Sequence, residues 1–290
     1  MNFRHLWLFM EKKILWAISI ILILILWIKA GPFKDDTNGS ESSSNELYSD
    51  ATEDEKKYYK SHPIKTPRPD FAAIADIGER KSAFFSYLTP FVNEKNNLIL
   101  KDRTRLTSLM DSNKALSSKD KKWVSMLRKD YRLEQLESYT KEDLSELLDR
   151  LDIIPVSLVL AQAANESAWG MSRFATEGNN FFGQWCFRKG CGLVPESRDS
   201  DADHEVRKFK DPRESVFAYI DNLNTNNAYK ELRATRSQLR TNNEEITGLA
   251  LVGDLQRYSE RGQDYVEEIA GLINYNKLWR FNRYQPSPEI

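Results

Sequence analysis

Residues 161–183 read AQAANESAWGMSRFATEGNNFFG and carry the strongest signal in the chain. Apolar residues precede Glu166 at steps of three or four, a spacing that places side chains on one face of a helix. The residues on that face are Val156, Val159 and Ala163. The pattern predicts a helix whose last turn holds Glu166, with the carboxylate beside the core rather than out in solvent.

A proline and a glycine suggest the bounds of this helix. Pro155 suits the first turn, where a missing backbone N–H costs little. Gly170 suits the position just past the end, so the helix is expected to run to about Trp169. Glu166 would then lie near the negative end of the helix dipole, which disfavours a carboxylate anion.

Glu166 is therefore a candidate general acid. Cleaving a glycosidic bond requires a carboxylic acid that keeps its proton near neutral pH. Burial and the helix dipole both disfavour the anion, so both raise the pKa of this side chain. The structural alternative is a glutamate neutralised by an arginine, such as Arg173.

An amide and aromatic run follows the helix and predicts a sugar-binding surface. Amide groups pair well with sugar hydroxyl and N-acetyl groups, and aromatic rings stack on sugar faces. The alternative is a loop that closes onto the core. The candidate substrate-binding residues are Asn179, Asn180, Phe181, Phe182 and Trp185.

Composition excludes some functions. The chain has 290 residues, 40% of them hydrophobic, which is enough for one or two domains with a sizeable core. Its net charge is -1, and no block is strongly basic, which argues against nucleic-acid binding. No cofactor is expected.

The N-terminal residues 1–30 are expected to anchor the chain in a membrane. Residues 14–28 are uncharged and nearly all aliphatic, and basic residues precede them, which favours a cytoplasmic N-terminus and export of the rest. The run is short for a span, which needs about 20 apolar residues. A cleaved signal peptide is the alternative, although no A-x-A-like cleavage site follows. The expected topology is that of a single-pass membrane protein.

Three further segments follow. Residues 31–69 are rich in polar residues and prolines and are expected to be a disordered tether. Residues 70–140 show helical spacing and predict a helical extension, whose first pattern is interrupted by Pro90. Residues 141–290 hold the candidate chemistry. Within them, residues 186–209 lack a helical period and predict a small β-hairpin or lobe.

Cys186 and Cys191 lie in the predicted lobe, and if this part is exported they can close a small disulfide loop. Two free thiols or half of a zinc site are the alternatives, but the histidines supply no matching pair. Alternating aspartates from Asp199 to Asp203 resemble the start of a calcium loop, yet the positions for its glycine and terminal glutamate are filled by other residues. No metal site is expected.

Several blocks in order resemble one family. They are A-x-x-E-S-A-W-G at residues 163–170, F-G-Q-W-C-F-x-K-G-C-G-L-V-P at 182–195, H-E-V-x-K-F at 204–209 and Y-S-x-R-G-x-D-Y at 258–265. Together they resemble the bacterial peptidoglycan N-acetylglucosaminidases of glycoside hydrolase family 73, in particular the Bax-like proteins of Gram-negative bacteria. The resemblance covers about residues 70–280.

The resemblance implies a mostly α, lysozyme-like fold with a small β lobe, and Glu166 as general acid. It also implies a tyrosine facing that acid, which fits Tyr258 or Tyr265, and a second carboxylate in the β lobe. Glu205 is the preferred candidate for that carboxylate and Glu196 the other. If neither reaches the cleft, the N-acetyl group of the substrate can act as nucleophile, a known exception to the two-carboxylate scheme.

The resulting hypothesis is an endo-β-N-acetylglucosaminidase that faces the periplasm. It would cut the β-1,4 bond between N-acetylglucosamine and N-acetylmuramic acid in peptidoglycan glycan strands. A muramidase or lytic transglycosylase is the second hypothesis, since these enzymes share the fold and cut the other bond. A non-catalytic scaffold that binds the cell wall is the third.

Overall fold

The structure, a computed structural model, describes residues 52–112, 114–195 and 204–282. The expected membrane anchor at residues 14–28, the candidate carboxylate Glu196 and the aspartates of the calcium-like loop lie outside these residues. Within the described part of the chain, no helix is both long enough and apolar enough to cross a membrane.

The described chain is mostly helical, as expected. The helices are α1 (Glu53–Ser61), α2 (Ile77–Asp111), α3 (Ser118–Asp130), α4 (Lys141–Arg150), α5 (Val156–Glu166), α6 (Arg173–Gly178), α7 (Pro212–Thr225), α8 (Lys230–Thr241), α9 (Gly248–Leu251) and α10 (Gln263–Tyr275). Short 3-10 helices connect or follow them at Phe71–Ala73, Asn227–Tyr229, Val252–Leu255 and Leu278–Phe281.

Helix α5 forms the centre of the core. Every residue from Val156 to Ala164 is buried, because α5 packs against α2, α9, α10 and the 3-10 helix Leu278–Phe281. A helix that is apolar all round requires such enclosure. Its last residue, Glu166, is only partly buried, so α5 carries the carboxylate from the core toward the surface.

The turn after α5 has an unusual backbone. The helix ends at Glu166, three residues before the expected end at Trp169, and Ala168, Trp169 and Gly170 all have positive φ. The Ser167 hydroxyl stabilises the turn by donating to the Ala163 carbonyl at 2.6 Å and accepting from the Gly170 N–H at 2.8 Å. A Cβ on Gly170 would lie 2.5 Å from a ring carbon of Phe71, so only glycine fits there.

Helix α2 runs unbroken through Pro90, so the expected interruption there is wrong. Proline removes one backbone hydrogen bond from a helix. The Thr89 hydroxyl donates to the Phe85 carbonyl at 2.7 Å in the same turn. Buried residues lie on both sides of the proline, among them Leu88 and Phe91. Because Leu88 and Phe91 are both buried, packing on either side of Pro90 favours one continuous helix despite the missing backbone hydrogen bond.

The predicted β lobe is a three-stranded antiparallel sheet rather than a single hairpin. Its strands are β1 (Trp185–Cys186), β2 (Gly192–Leu193) and β3 (Glu205–Arg207), in the order β1-β3-β2. Cys186 and Cys191 form a disulfide that closes the loop between β1 and β2. The free-thiol and zinc alternatives are therefore wrong.

Part of the expected tether is folded. Helix α1 lies within residues 31–69 and begins with a capping box made by Thr52 and Glu55. Glu55 and Asp221 of α7 both pair with Lys95 of α2. The Arg213 guanidinium also donates to the His62 carbonyl at 2.7 Å. The ordered structure thus begins before residue 70, held by partners that are distant in sequence.

Candidate active site

Glu166 lies between two neutral hydrogen-bond donors. Its Oε1 accepts from the Tyr265 hydroxyl at 2.8 Å and from Asn165 Nδ2 at 3.4 Å. Arg173, the arginine considered as a neutralising partner, donates instead to the Val194 carbonyl at 2.7 Å. These contacts hold the Glu166 carboxyl group in place. They are compatible with both its protonated and its ionised form.

The pKa of Glu166 is raised, and burial is the largest cause. The hydrogen bonds from Tyr265 and Asn165 lower it, and the nearby Glu268 carboxylate raises it. Desolvation prevails over the hydrogen bonds, so the protonated acid persists closer to neutral pH than it does for a free glutamate. A general acid for glycoside cleavage needs this property.

A chain of hydrogen bonds leads from the core to Glu166. The Tyr219 hydroxyl donates to Gln162 Oε1, and Gln162 Nε2 donates to the Tyr265 hydroxyl at 2.9 Å. Tyr265 then donates to Glu166. Gln162 and Tyr265 each accept one hydrogen bond and donate another, an arrangement in which the bonds strengthen one another. The network fixes the orientation of the acid.

The structure distinguishes the two candidate tyrosines by position. Tyr265 on α10 contacts Glu166 directly. Tyr258 stacks on Tyr265 with ring centroids 5.4 Å apart and planes at 10°, and its hydroxyl donates to the Phe182 carbonyl at 3.1 Å. Tyr258 therefore supports the ring that touches the acid.

The amide and aromatic run closes a loop over the core. Asn180 is buried; its amide donates to the carbonyls of Gln184 and Arg207, and its oxygen accepts the N–H groups of Phe182 and Gln184. Phe181 and Phe182 are 0% and 1% exposed, and Phe182 stacks on Tyr219 with centroids 4.0 Å apart. These three residues shape the loop and offer no exposed face to a sugar.

The remaining two candidate substrate-binding residues are partly exposed. Asn179 adopts the left-handed conformation at the end of α6, and its amide donates to the carbonyls of Phe209 and Lys210. Trp185 stacks on His204 with centroids 4.1 Å apart and planes at 20°. Direct sugar contact stays a prediction for both residues.

Glu205 holds the disulfide loop. The side chain is buried, and its two oxygens accept the backbone N–H groups of Gly190 at 2.8 Å and Gly192 at 2.7 Å. These donors lie on either side of Cys191. A carboxylate engaged in this way stabilises the loop, whatever further role it has.

Residues that the sequence analysis did not select complete the site. Gln162, Tyr219 and Asn165 belong to the hydrogen-bond network around Glu166. One signal could have identified Gln162, since it is a polar residue in an apolar stretch and lies four positions before Glu166, on the same helix face. Tyr219 offers no comparable local signal.

Comparisons with known proteins agree with this architecture. Residues 141–278 match the glucosaminidase family model, described as mannosyl-glycoprotein endo-beta-N-acetylglucosaminidase. Protein bax of Escherichia coli K12 is 31% identical over 222 residues, which cover 77% of this chain and 79% of that relative. No solved structure matches. The family match begins at α4 and includes Glu166, the β lobe and α10.

Proposed function

The chain belongs to the Bax-like family of glucosaminidase-domain proteins, and from that premise we propose that it hydrolyses the β-1,4 bond between N-acetylglucosamine and N-acetylmuramic acid in peptidoglycan. The family indicates a glycan hydrolase. The observation that carries the finer proposal is Glu166, a partly buried carboxyl with a raised pKa that is oriented by Tyr265. A mostly helical body with a small sheet supports the lysozyme-like fold that the family resemblance implies.

In the proposed reaction Glu166 gives its proton to the oxygen that leaves the scissile bond. As this C–O bond breaks, positive charge develops on the sugar ring and is stabilised by the N-acetyl oxygen of the same sugar, which bonds to the ring carbon, while Glu166 becomes a carboxylate. Tyr265 contributes by donating to that carboxylate, because a hydrogen bond to the charged form favours proton release. Water then displaces the N-acetyl oxygen from the ring carbon and gives a proton to the Glu166 carboxylate, which restores the acid and completes hydrolysis.

The second catalytic group is proposed to be the N-acetyl oxygen of the substrate. Both oxygens of Glu205 already accept backbone N–H groups, which supports a structural role for this carboxylate. A nucleophilic Glu205 would need an oxygen directed at the sugar, whereas each of its oxygens is directed at a backbone N–H group of the disulfide loop. Glu205 as the nucleophile is the competing proposal.

We also place the catalytic part in the periplasm, held to the inner membrane by residues 14–28. The Cys186–Cys191 disulfide supports an oxidising compartment. The hydropathy of residues 14–28 and the basic residues before them support the anchor.

The test is digestion of purified peptidoglycan by the full-length protein, with mass spectrometry of the soluble fragments. Fragments ending in reducing N-acetylglucosamine are expected from the wild type and not from Glu166→Gln, which keeps the shape of the side chain and loses the acid. Reducing or anhydro-muramyl ends would instead identify a muramidase or lytic transglycosylase. Wall binding without fragments from either protein would identify a scaffold.

A further inference from the structure

A pocket of about 370 Å³ opens between the end of α5 and the second half of α10. Its volume lies within the range of about 300–1,000 Å³ that is usual for small-molecule sites. We call it the Trp169–Tyr275 pocket. The residues of its lining that matter most are Asn165, Trp169, Glu268, Gly271, Leu272 and Tyr275.

The pocket adjoins the proposed acid. Asn165, in its lining, donates to Glu166 Oε1, and Glu268, also in its lining, acts electrostatically on the same carboxyl group. On α10, Tyr265, Glu268, Leu272 and Tyr275 follow one another at steps of three or four residues. They share one face of the helix, so this face leads from Glu166 directly to Tyr275.

Two aromatic rings at the outer part of the pocket are held by one cation. Lys81 Nζ lies 4.6 Å from the ring centroid of Trp169 and 5.0 Å from that of Tyr275. Trp169 also packs edge-to-face against Phe84 and Phe85 of α2. Tyr275 is 81% exposed, far more than a packing role requires. Ordering both rings in advance lowers the entropic cost of binding a ligand against them.

The lining suits an amphipathic ring. Leu272 and the alanines of α5 and the turn after it give an apolar floor, and a Cβ on Gly271 would meet nothing within 4 Å. Glu268, which pairs with Arg261 at 2.6 Å, supplies a polar group to the lining, and Lys81 lies beside the rings of Trp169 and Tyr275. A pyranose ring has an apolar face that stacks on aromatic side chains and a polar edge that hydrogen-bonds to charged groups. A carboxylate on such a ring would be attracted to Lys81.

We propose that the Trp169–Tyr275 pocket binds a further sugar unit of the glycan strand, beyond the unit at the scissile bond, with a carboxylate-bearing substituent of that unit at Lys81. This proposal rests on the proposed function, because it places a second part of the same substrate. Lys81 lies outside residues 141–278, which match the family model. The helical extension therefore completes a site that begins in the glucosaminidase domain.

The binding test uses the full-length protein with Glu166→Gln, so that no cleavage occurs. Affinity is measured calorimetrically for glycan strands freed of peptides, which carry the lactyl carboxylate, and for N-acetylglucosamine oligomers of two and six units, which do not. Tyr275→Ala is expected to weaken binding of the strands and of the six-unit oligomer about tenfold and of the two-unit oligomer less than twofold. Lys81→Gln is expected to weaken binding of the strands alone.

Two further variants sharpen the test. Gly271→Leu fills the pocket and is expected to weaken binding of long ligands as Tyr275→Ala does. Trp279→Ala removes another exposed aromatic ring, 54% exposed, outside the pocket lining and is the matched control with unchanged affinity. Thermal unfolding verifies that each variant is folded. Because the Tyr275 side chain is largely exposed, Tyr275→Ala should fold normally and still test the pocket if Gly271→Leu fails to fold.

The outcomes separate the pocket from the reaction. Equal affinity of Tyr275→Ala and its parent for every ligand would overturn the pocket proposal, even if the wild type digests peptidoglycan. Weaker binding by Tyr275→Ala, together with a wild type that releases no fragments, would overturn the proposed reaction and leave the pocket standing. Equal losses for Tyr275→Ala and Trp279→Ala would also overturn the pocket proposal.

Discussion

Tyr265 donates a hydrogen bond of 2.8 Å to Glu166 although 99 residues separate them in the chain. This bond opposes the effect of burial, since it favours the carboxylate that burial disfavours. Burial therefore favours the protonated form of Glu166, and the hydrogen bond from Tyr265 favours the ionised form. Loss of this hydrogen bond should change the pKa of Glu166.

We first predict that Tyr265→Phe moves the pH dependence of activity to higher pH. A general acid is active while protonated, so kcat falls as the pH rises through the pKa of Glu166. Loss of the hydroxyl removes a hydrogen bond that lowers this pKa, so the fall should occur at higher pH than in the wild type. We also expect kcat at its optimum to fall about 10–100-fold, because the acid is less well oriented.

The measurement is a kcat profile on peptidoglycan between pH 4 and 9. Tyr258→Phe is the matched control, since its hydroxyl donates to the Phe182 carbonyl and not to Glu166. A profile of Tyr265→Phe that moves to lower pH, or that coincides with the profile of Tyr258→Phe, would contradict the role assigned to this contact.

Glu205→Gln should destabilise the β lobe. The glutamine amide keeps one acceptor oxygen but turns an NH2 group toward the N–H of Gly190 or Gly192. One of these N–H groups, of which that of Gly190 is exposed and that of Gly192 half-buried, then loses its hydrogen bond, at a cost of about 0.5–1.5 kcal/mol. Thermal and urea unfolding under non-reducing conditions measure this loss. Glu177→Gln, the same substitution at an exposed position, is the control.

The same variant distinguishes the two proposals for the second catalytic group. If the N-acetyl group of the substrate acts, kcat of folded Glu205→Gln should fall less than tenfold, compared with about 10²–10⁴-fold for loss of a catalytic acid or base. A loss above 100-fold with unchanged stability would make Glu205 the second catalytic carboxylate.

Local sequence signals predicted the elements that depend on neighbouring residues. The position of Glu166 at the end of α5 is confirmed. The disulfide is also confirmed. Each of these features is set by residues within one or two turns or by a short loop, so the spacing alone is informative.

Features that depend on distant partners were not predictable in this way. Helix α1 lies in a polar segment, and although its capping box is local, the pairing of Glu55 with Lys95 depends on the fold. Phe181 and Phe182 were expected at a sugar surface, but an aromatic pair has the same appearance in sequence whether it faces a ligand or the core. Tyr219 is linked to Glu166 through Gln162 and Tyr265, a path that requires the packing of α7 and α10 against the core.

Asp221→Asn should change how stability depends on pH. Burial raises the pKa of Asp221, Lys95 lowers it, and the nearby Glu55 raises it. A carboxyl with a raised pKa in the folded state adds stability at pH values below its unfolded pKa, near 4, and loses that contribution as the pH rises through the folded value. Asparagine does not titrate, so the variant should lack this loss.

The expected result is a relative gain for the variant as the pH rises from about 4 to 7.5. We expect the difference in unfolding free energy to shift by about 1–2 kcal/mol in favour of Asp221→Asn, a modest value because a third of the side chain is exposed. Urea unfolding at both pH values measures the shift. Asp111→Asn, an exposed carboxylate at the end of α2, is the control. An equal shift in both variants would exclude a specific role for Asp221.

Two glycine substitutions should affect stability in opposite directions. Gly170 has φ +78°, and an added Cβ would lie 2.5 Å from Phe71, so Gly170→Ala combines backbone strain with overlap in the core. Such effects together cost about 2–4 kcal/mol. Gly271 lies inside α10, where a Cβ meets nothing within 4 Å, so Gly271→Ala should stabilise the protein by about 0.5–1 kcal/mol. Thermal unfolding of both variants against the wild type provides the measurement.

The two variants also separate the turn from the pocket in activity. Gly170→Ala strains the turn that follows Glu166, so we expect kcat to fall even at temperatures where the protein stays folded. Gly271→Ala leaves this turn untouched and adds one methyl group to the Trp169–Tyr275 pocket, so kcat on short oligomers should hold while KM for long strands rises. If Gly170→Ala kept full kcat while folded, the orientation of Glu166 would not depend on this turn, and the positive φ run would serve only to place Trp169 against α2.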